Sequence, residues 1–147
     1  LGWIQTGPVL RERLLENGFV NGGGSINHYG SHIVRHAIDL GLQRAHVADL
    51  KRAYRGRVEA MHDALQSQFG ELATWRRPDG GYFLWLRFEE DVDTAPLRDR
   101  ARELETGFQP GFVFSSDGKL GNFLRLCFAH YDEDDIREGI ARMRAMF

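Results

Sequence analysis

Arg125 stands in a setting that calls for a chemical explanation. The stretch Phe123-Leu124-Arg125-Leu126-Cys127-Phe128 reads as a strand, in which successive side chains point to opposite faces. Leu124, Leu126 and Phe128 make one face wholly apolar. Arg125 stands on the other, between Phe123 and Cys127. A guanidinium with apolar neighbours must find a partner or reach water, because an unpaired buried charge is costly. Its planar fork of donors matches a carboxylate through two parallel hydrogen bonds. Two readings follow: a clamp for a ligand carboxylate, or an edge-strand arginine paired with an Asp or Glu of the chain. Spacing alone favours the second, since most charged strand residues are solvated or paired.

Other candidate groups carry less. His28, His32 and His36 recur at i, i+4 and i+8 and stack on one helix face. Two histidines so spaced can chelate zinc, but a site needs a third ligand, and no His-Glu-x-x-His pattern occurs. No metal site is expected. Asn21-Gly22-Gly23-Gly24-Ser25 leads into a helix start, where free N–H groups can hold phosphate. It lacks the Walker lysine and any Gly-x-Gly-x-x-Gly spacing, so it reads as a connector. Lys51 and Lys119 are the only lysines. One lies off the apolar stripe of a helix and the other in a turn, and neither context suggests a Schiff base. Cys127, the single cysteine, reads as an inert core thiol and allows no intrachain disulfide.

The composition narrows the function class. The chain has 147 residues, 42% hydrophobic and 27% charged, with a formal net charge of −2. That balance makes no electrostatic case for nucleic acid or an anionic membrane. No apolar run reaches the roughly 18 residues that a membrane-spanning helix needs. One cysteine and no secretory leader pattern fit a reducing, cytoplasmic setting. Leu1-Gly2-Trp3-Ile4 is apolar from the first residue and reads as the middle of a buried strand. It predicts that the chain is part of a longer one.

The elements that would position these groups follow from periodicity. A strand is predicted over 1–6, then a short helix from Pro8, stopped by Gly18. A second helix is predicted over 27–40, ended by Gly41. Val47, Leu50, Tyr54, Val58, Met61, Leu65 and Phe69 recur at spacings of three and four, which predicts one long helix over 43–69. At 1.5 Å per residue it would run about 40 Å and span two structural regions. Beyond Gly70 the texture changes to strands and turns. Strands are predicted at 72–76, 82–88, 112–114 and 123–128. Pro78-Asp79-Gly80-Gly81 and Asp117-Gly118 are turn sequences. Thr94 is read as the cap of a helix with face Leu97, Ala101 and Leu104. Asp132 is read as the cap of a last helix lined by Ile136, Ile140, Met143 and Phe147. The expected fold class is α/β or α+β: a small sheet with helices packed on it.

Several stretches in order resemble the class I/II, fold type I, pyridoxal-phosphate aminotransferases, in particular their 2-aminoadipate aminotransferase-like branch. They are Leu1-Gly2-Trp3-Ile4, Gly22-Gly23-Gly24-Ser25-Ile26-Asn27, Pro78-Asp79-Gly80-Gly81-Tyr82-Phe83-Leu84-Trp85, Gln109-Pro110-Gly111-Phe112-Val113-Phe114, and Asn122 to Phe128. The resemblance implies the C-terminal region of that fold, with the long helix connecting its domains. Residues 1–44 would be a remnant of the large cofactor-binding domain, and 45–147 the small C-terminal domain. It implies amino-group transfer between an amino acid and a 2-oxo acid, pyridoxal 5'-phosphate as cofactor, and a homodimer with a contact at the Gly22–His28 loop. It assigns Arg125 to the substrate α-carboxylate. The family's Schiff-base lysine, phosphate-binding arginine and pyridine-nitrogen aspartate have no counterpart here, so the residues that would bind cofactor stay unknown and the chain alone is expected to be inactive. The same region also occurs in the effector domains of MocR-type transcriptional regulators, which is the alternative reading.

Overall fold

The structure is a computed structural model that describes residues 2, 4–22 and 27–147. The chain divides into two compact units, Leu1–Asp49 and Leu50–Phe147. The first is helical, with α1 at Pro8–Leu15, α2 at Gly18–Asn21 and α3 at His28–Asp39. Pro8 opens α1, where its missing N–H leaves no bond unmade. The Asn27 side chain accepts the Gly30 N–H at 2.8 Å and starts α3. Gly41, at φ 73°, lets the chain turn from α3 into α4, Leu42–Phe69, in a conformation unfavourable for residues with a Cβ. No residue of α1 or α3 is buried. The strand expected over 1–6 is not formed by Gly2 or by Ile4 to Thr6, and Ile4 is 73% exposed. Among the described residues no strand pairs with Gly2 or with Ile4 to Thr6, so extending brings them no ladder hydrogen bonds. Leu1 and Trp3 lie outside the described residues, as do Gly23 to Ile26 of the glycine loop.

The second unit is a four-stranded antiparallel sheet covered on one face by helices. After α4 come β1 at Ala73–Trp75, β2 at Phe83–Phe88, α5 at Leu97–Glu103, β3 at Gln109–Pro110, β4 at Phe123–Cys127 and α6 at Glu133–Arg144. The strand order is β1-β2-β4-β3, with every pair antiparallel. Alternation sorts the side chains. Leu84, Leu86, Leu124 and Leu126 point to one face and are buried with Met61, Leu65 and Phe69 of α4 and Ile136, Ile140 and Met143 of α6. Each large aliphatic or Phe side chain taken from water there contributes roughly 1.5–3 kcal/mol. The stripe of α4 is thus half used: Val58 onward is core, whereas Val47 and Leu50 are only partly covered.

Two elements differ from expectation. Thr94 does not cap α5, which starts after Pro96 with no side-chain cap. It is fully buried instead, and its hydroxyl is shared between the carbonyls of Gly121 (2.9 Å) and Phe123 (2.7 Å). A buried hydroxyl needs such partners more than a solvated helix end needs a cap. The strand expected at 112–114 is a 3-10 turn over Gly111–Phe114, and the pairing with β4 is made by Gln109 and Pro110. Gly111 decides this. A Cβ there would lie 2.3 Å from the Leu120 carbonyl oxygen, so only glycine allows the chain to cross so close to that loop. Asp132 caps α6 as expected, accepting from the N–H groups of Asp134 and Asp135. No helix among the described residues is long and apolar enough to cross a membrane.

Candidate functional site

Opposite the core, the second face of the sheet carries Phe83 and Trp85 from β2, Phe123, Arg125 and Cys127 from β4, and Gln109 from β3. Arg125 sits directly across from Trp85 on one side and Gln109 on the other. Its half-buried guanidinium lies between two rings: Cζ is 3.7 Å from the centre of Phe83 and 4.2 Å from that of Phe114. The 3-10 turn that Gly111 permits brings Phe114 over the sheet, where it also meets Trp85 edge-on at 5.2 Å.

This arrangement shapes what Arg125 can do. The ring faces are electron-rich and attract a cation stacked on them, roughly 0.5–1 kcal/mol each where water still has access. They attract the charge without taking a conventional hydrogen bond and so leave its N–H donors for another partner. Among the described residues no carboxylate pairs with Arg125 and no acceptor takes its donors. The structural ion pair that spacing alone favoured is therefore not made among the described residues. The stacked rings explain how the charge is tolerated without it.

Arg125 also lines a pocket of about 370 Å³, together with Arg98 and Arg102 of α5, Gln109, His130 and Tyr131. No Asp or Glu lines it. Arg102 makes a loose contact with Asp99, Nη1 to Oδ1 3.6 Å, between two well-exposed side chains, and Arg98 has no acidic partner among the described residues. Cys127 is at the rim of the same pocket and exposed, which corrects its reading as a core thiol. It follows Arg125 by two residues and so faces away from the core.

The remaining candidates stay apart. His28 and His32 bring their Nε2 atoms to 3.1 Å, and His36 Nδ1 is 3.0 Å from the His32 carbonyl, all on the exposed α3. No group of three His, Cys, Asp or Glu able to hold a metal exists among the described residues. Lys119 is tied into its own turn, Nζ 2.7 Å from Asp117 Oδ2. That bond, followed by the Ser115 hydroxyl at 2.6 Å, holds the Asp117 carboxyl below the ordinary aspartate value of 3.8. Lys51 is exposed on α4. Lys119 borders a shallow pocket with Arg87 and Phe123, but Glu90, Asp91 and Asp93 line it too and would repel a phosphate, so these described residues do not fit pyridoxal phosphate.

Sequence reasoning missed Phe83, Phe114, Arg98, Arg102 and His130. Two of these had a readable signal, since Arg98 and Arg102 are four apart on one helix. The place of Phe114 was hidden by reading its segment as a strand.

No family model matches the chain. An aromatic-amino-acid aminotransferase of Thermococcus litoralis is 29% identical over 97% of this chain and 34% of its own length. A 2-aminoadipate transaminase of Thermus thermophilus is 34% identical over 64% of this chain and 24% of its own. The kynurenine aminotransferase structure from Pyrococcus horikoshii superposes with a TM-score of 0.81 at 27% identity, covering 94% of this chain and 34% of that one. An uncharacterised HTH-type transcriptional regulator of Bacillus subtilis is 25% identical over 99% of this chain and 30% of its own length. The chain thus spans about a third or less of each relative. Its relatives include pyridoxal-phosphate aminotransferases, 2-aminoadipate transaminase among them, as well as HTH-type regulators, and its fold is that of the C-terminal part of a fold type I aminotransferase.

Proposed function

We propose that this chain is part of an aminotransferase that moves an amino group between an amino acid and a 2-oxo acid, and that Arg125 grips the substrate carboxylate. One observation carries the assignment: a guanidinium held between Phe83 and Phe114 with no carboxylate of its own among the described residues. Such a group is poised to donate two parallel hydrogen bonds to a carboxylate in its plane. The rings limit its rotamers before the ligand arrives, so less conformational freedom is lost on binding. Pyridoxal 5'-phosphate belongs to the reading for the longer protein, and it would have to be held by residues other than those described here.

The domain reading goes with it: residues 1–44 as part of a large domain and 45–147 as the small one. The division into units near Asp49 supports a boundary within the first turns of α4. A homodimer, with a contact around the Gly22–His28 loop, and a cytoplasmic setting complete the proposal. A second reading, the effector domain of a MocR-type regulator, is favoured by the regulator relatives, which match nearly the whole chain. Substrate grip by Arg125 is common to both, and turnover separates them. The longer protein, supplied with pyridoxal phosphate, should exchange amino groups between amino acids and 2-oxo acids. Cofactor binding without turnover across a broad panel would favour the regulator.

A further inference from the structure

We propose that His28 and His32 form an open metal site on α3, taking a divalent transition ion of the zinc, nickel or copper kind through their two Nε2 atoms. The site belongs to the first unit and is independent of the role given to Arg125. His28 opens α3 and His32 follows one turn later, so both side chains leave the same helix face. Their Nε2 atoms stand 3.1 Å apart and both side chains are exposed. Two nitrogens bound to one ion at the usual length of about 2.0–2.1 Å lie about 2.8–3.4 Å apart, from octahedral to tetrahedral geometry. The observed separation falls inside that range. The helix has thus already brought the two donors to chelating distance.

In the metal-free chain the same approach is a hydrogen bond, one Nε2–H donating to the other Nε2. Taking up an ion moves that proton to the donor ring's own Nδ1, which frees both Nε2 lone pairs and leaves the neutral pair with the same two protons. Among the described residues nothing bonds either Nδ1, so each can hold its proton toward water. His36, a further turn along, does not join them: its Nδ1 is 3.0 Å from the His32 carbonyl and donates there. Arg35 and Asp39 pair with each other at 3.6 Å. No third His, Cys, Asp or Glu completes a cluster among the described residues. Water therefore fills the other positions, and the ion stays exchangeable, unlike one in a closed structural site. Imidazole donors without a carboxylate favour zinc, nickel and copper over magnesium and calcium, which take oxygen ligands.

The test titrates Zn²⁺, with Mg²⁺ as control, into the 147-residue chain, ¹⁵N-labelled and carrying no histidine tag, and follows the imidazole nitrogens by NMR. The Nε2 resonances of His28 and His32 should shift together with one midpoint, and Mg²⁺ should move neither. His28→Gln or His32→Gln should weaken Zn²⁺ binding roughly 100-fold, the low end of the gain from a second donor in the same molecule, whereas His36→Gln should leave it within about twofold. All three positions are exposed, and the far-UV helical signal checks that the helices survive each change. If a variant loses helix, the unaltered chain decides alone: unshifted Nε2 resonances there overturn the proposal. So does Zn²⁺ binding that survives both His28→Gln and His32→Gln, that falls as far with His36→Gln, or that Mg²⁺ matches.

Discussion

Replacing Arg125 by Lys tests the central assignment, because it keeps the charge and removes the paired donors. In the longer protein the bidentate contact is exchanged for one ammonium contact. A charged hydrogen bond is worth about 1.5–3 kcal/mol, and loss of orientation adds to it. We therefore expect kcat/KM to fall by about 2–4 kcal/mol, or roughly 30- to 1000-fold. Folding stability should respond as well. Arg125 stacks on Phe83 and Phe114, so Arg125→Ala should cost about 1–2 kcal/mol of folding free energy, the sum of two partly exposed cation–π contacts. Arg125→Lys should cost less, since an ammonium retains part of that attraction. Steady-state kinetics of both variants, with urea unfolding alongside, separate the two effects. Near-normal kcat/KM for Arg125→Lys would refute the assignment. So would an activity loss that tracks unfolding, because the arginine would then serve the sheet and not a ligand.

Three further outcomes test the scaffold. Thr94→Val is nearly isosteric but withdraws the hydroxyl from the Gly121 and Phe123 carbonyls, and should destabilise by about 1–3 kcal/mol in urea unfolding; a change under 0.5 kcal/mol would remove its bridging role. Gly111→Ala forces a Cβ against the Leu120 carbonyl and Phe123, and should cost about 1–3 kcal/mol or more while displacing Phe114; unchanged stability and an unchanged Arg125 Nε–H shift would contradict this. The Asp117 bonds lower its carboxyl below 3.8, so their contribution to the turn is complete above that value and fades as pH falls through the lowered one. The Asp117 carboxyl resonance should titrate below the ordinary aspartate range, and Lys119→Ala should move it upward; an unmoved midpoint would dismiss the lysine as cause.

What the residue order determined by itself is the part of the molecule governed by local periodicity. The stripe of α4 and the alternation in β2 and β4 assign a burial side to each residue, because a helix and a strand repeat at fixed intervals. Turn glycines and the Asp132 cap are local for the same reason. Arg125 was legible as an odd charge on the outward face, and the order of five motifs pointed to the fold. Its surroundings were not legible. Phe114 is 11 residues from Arg125 in sequence and Phe83 is 42, and no local rule predicts that a cation will settle between them. The expected strand at 112–114 failed on a close approach between Gly111 and Leu120, a contact that exists only in the folded chain. Thr94 was misread on similar grounds, since capping is a local rule and the Gly121 and Phe123 carbonyls come from nearly 30 residues away. Tertiary structure also decided the pocket. It takes Arg98 and Arg102 from a helix, Arg125 from a strand and His130 from the loop beyond, and only sheet register and helix packing bring their charges together.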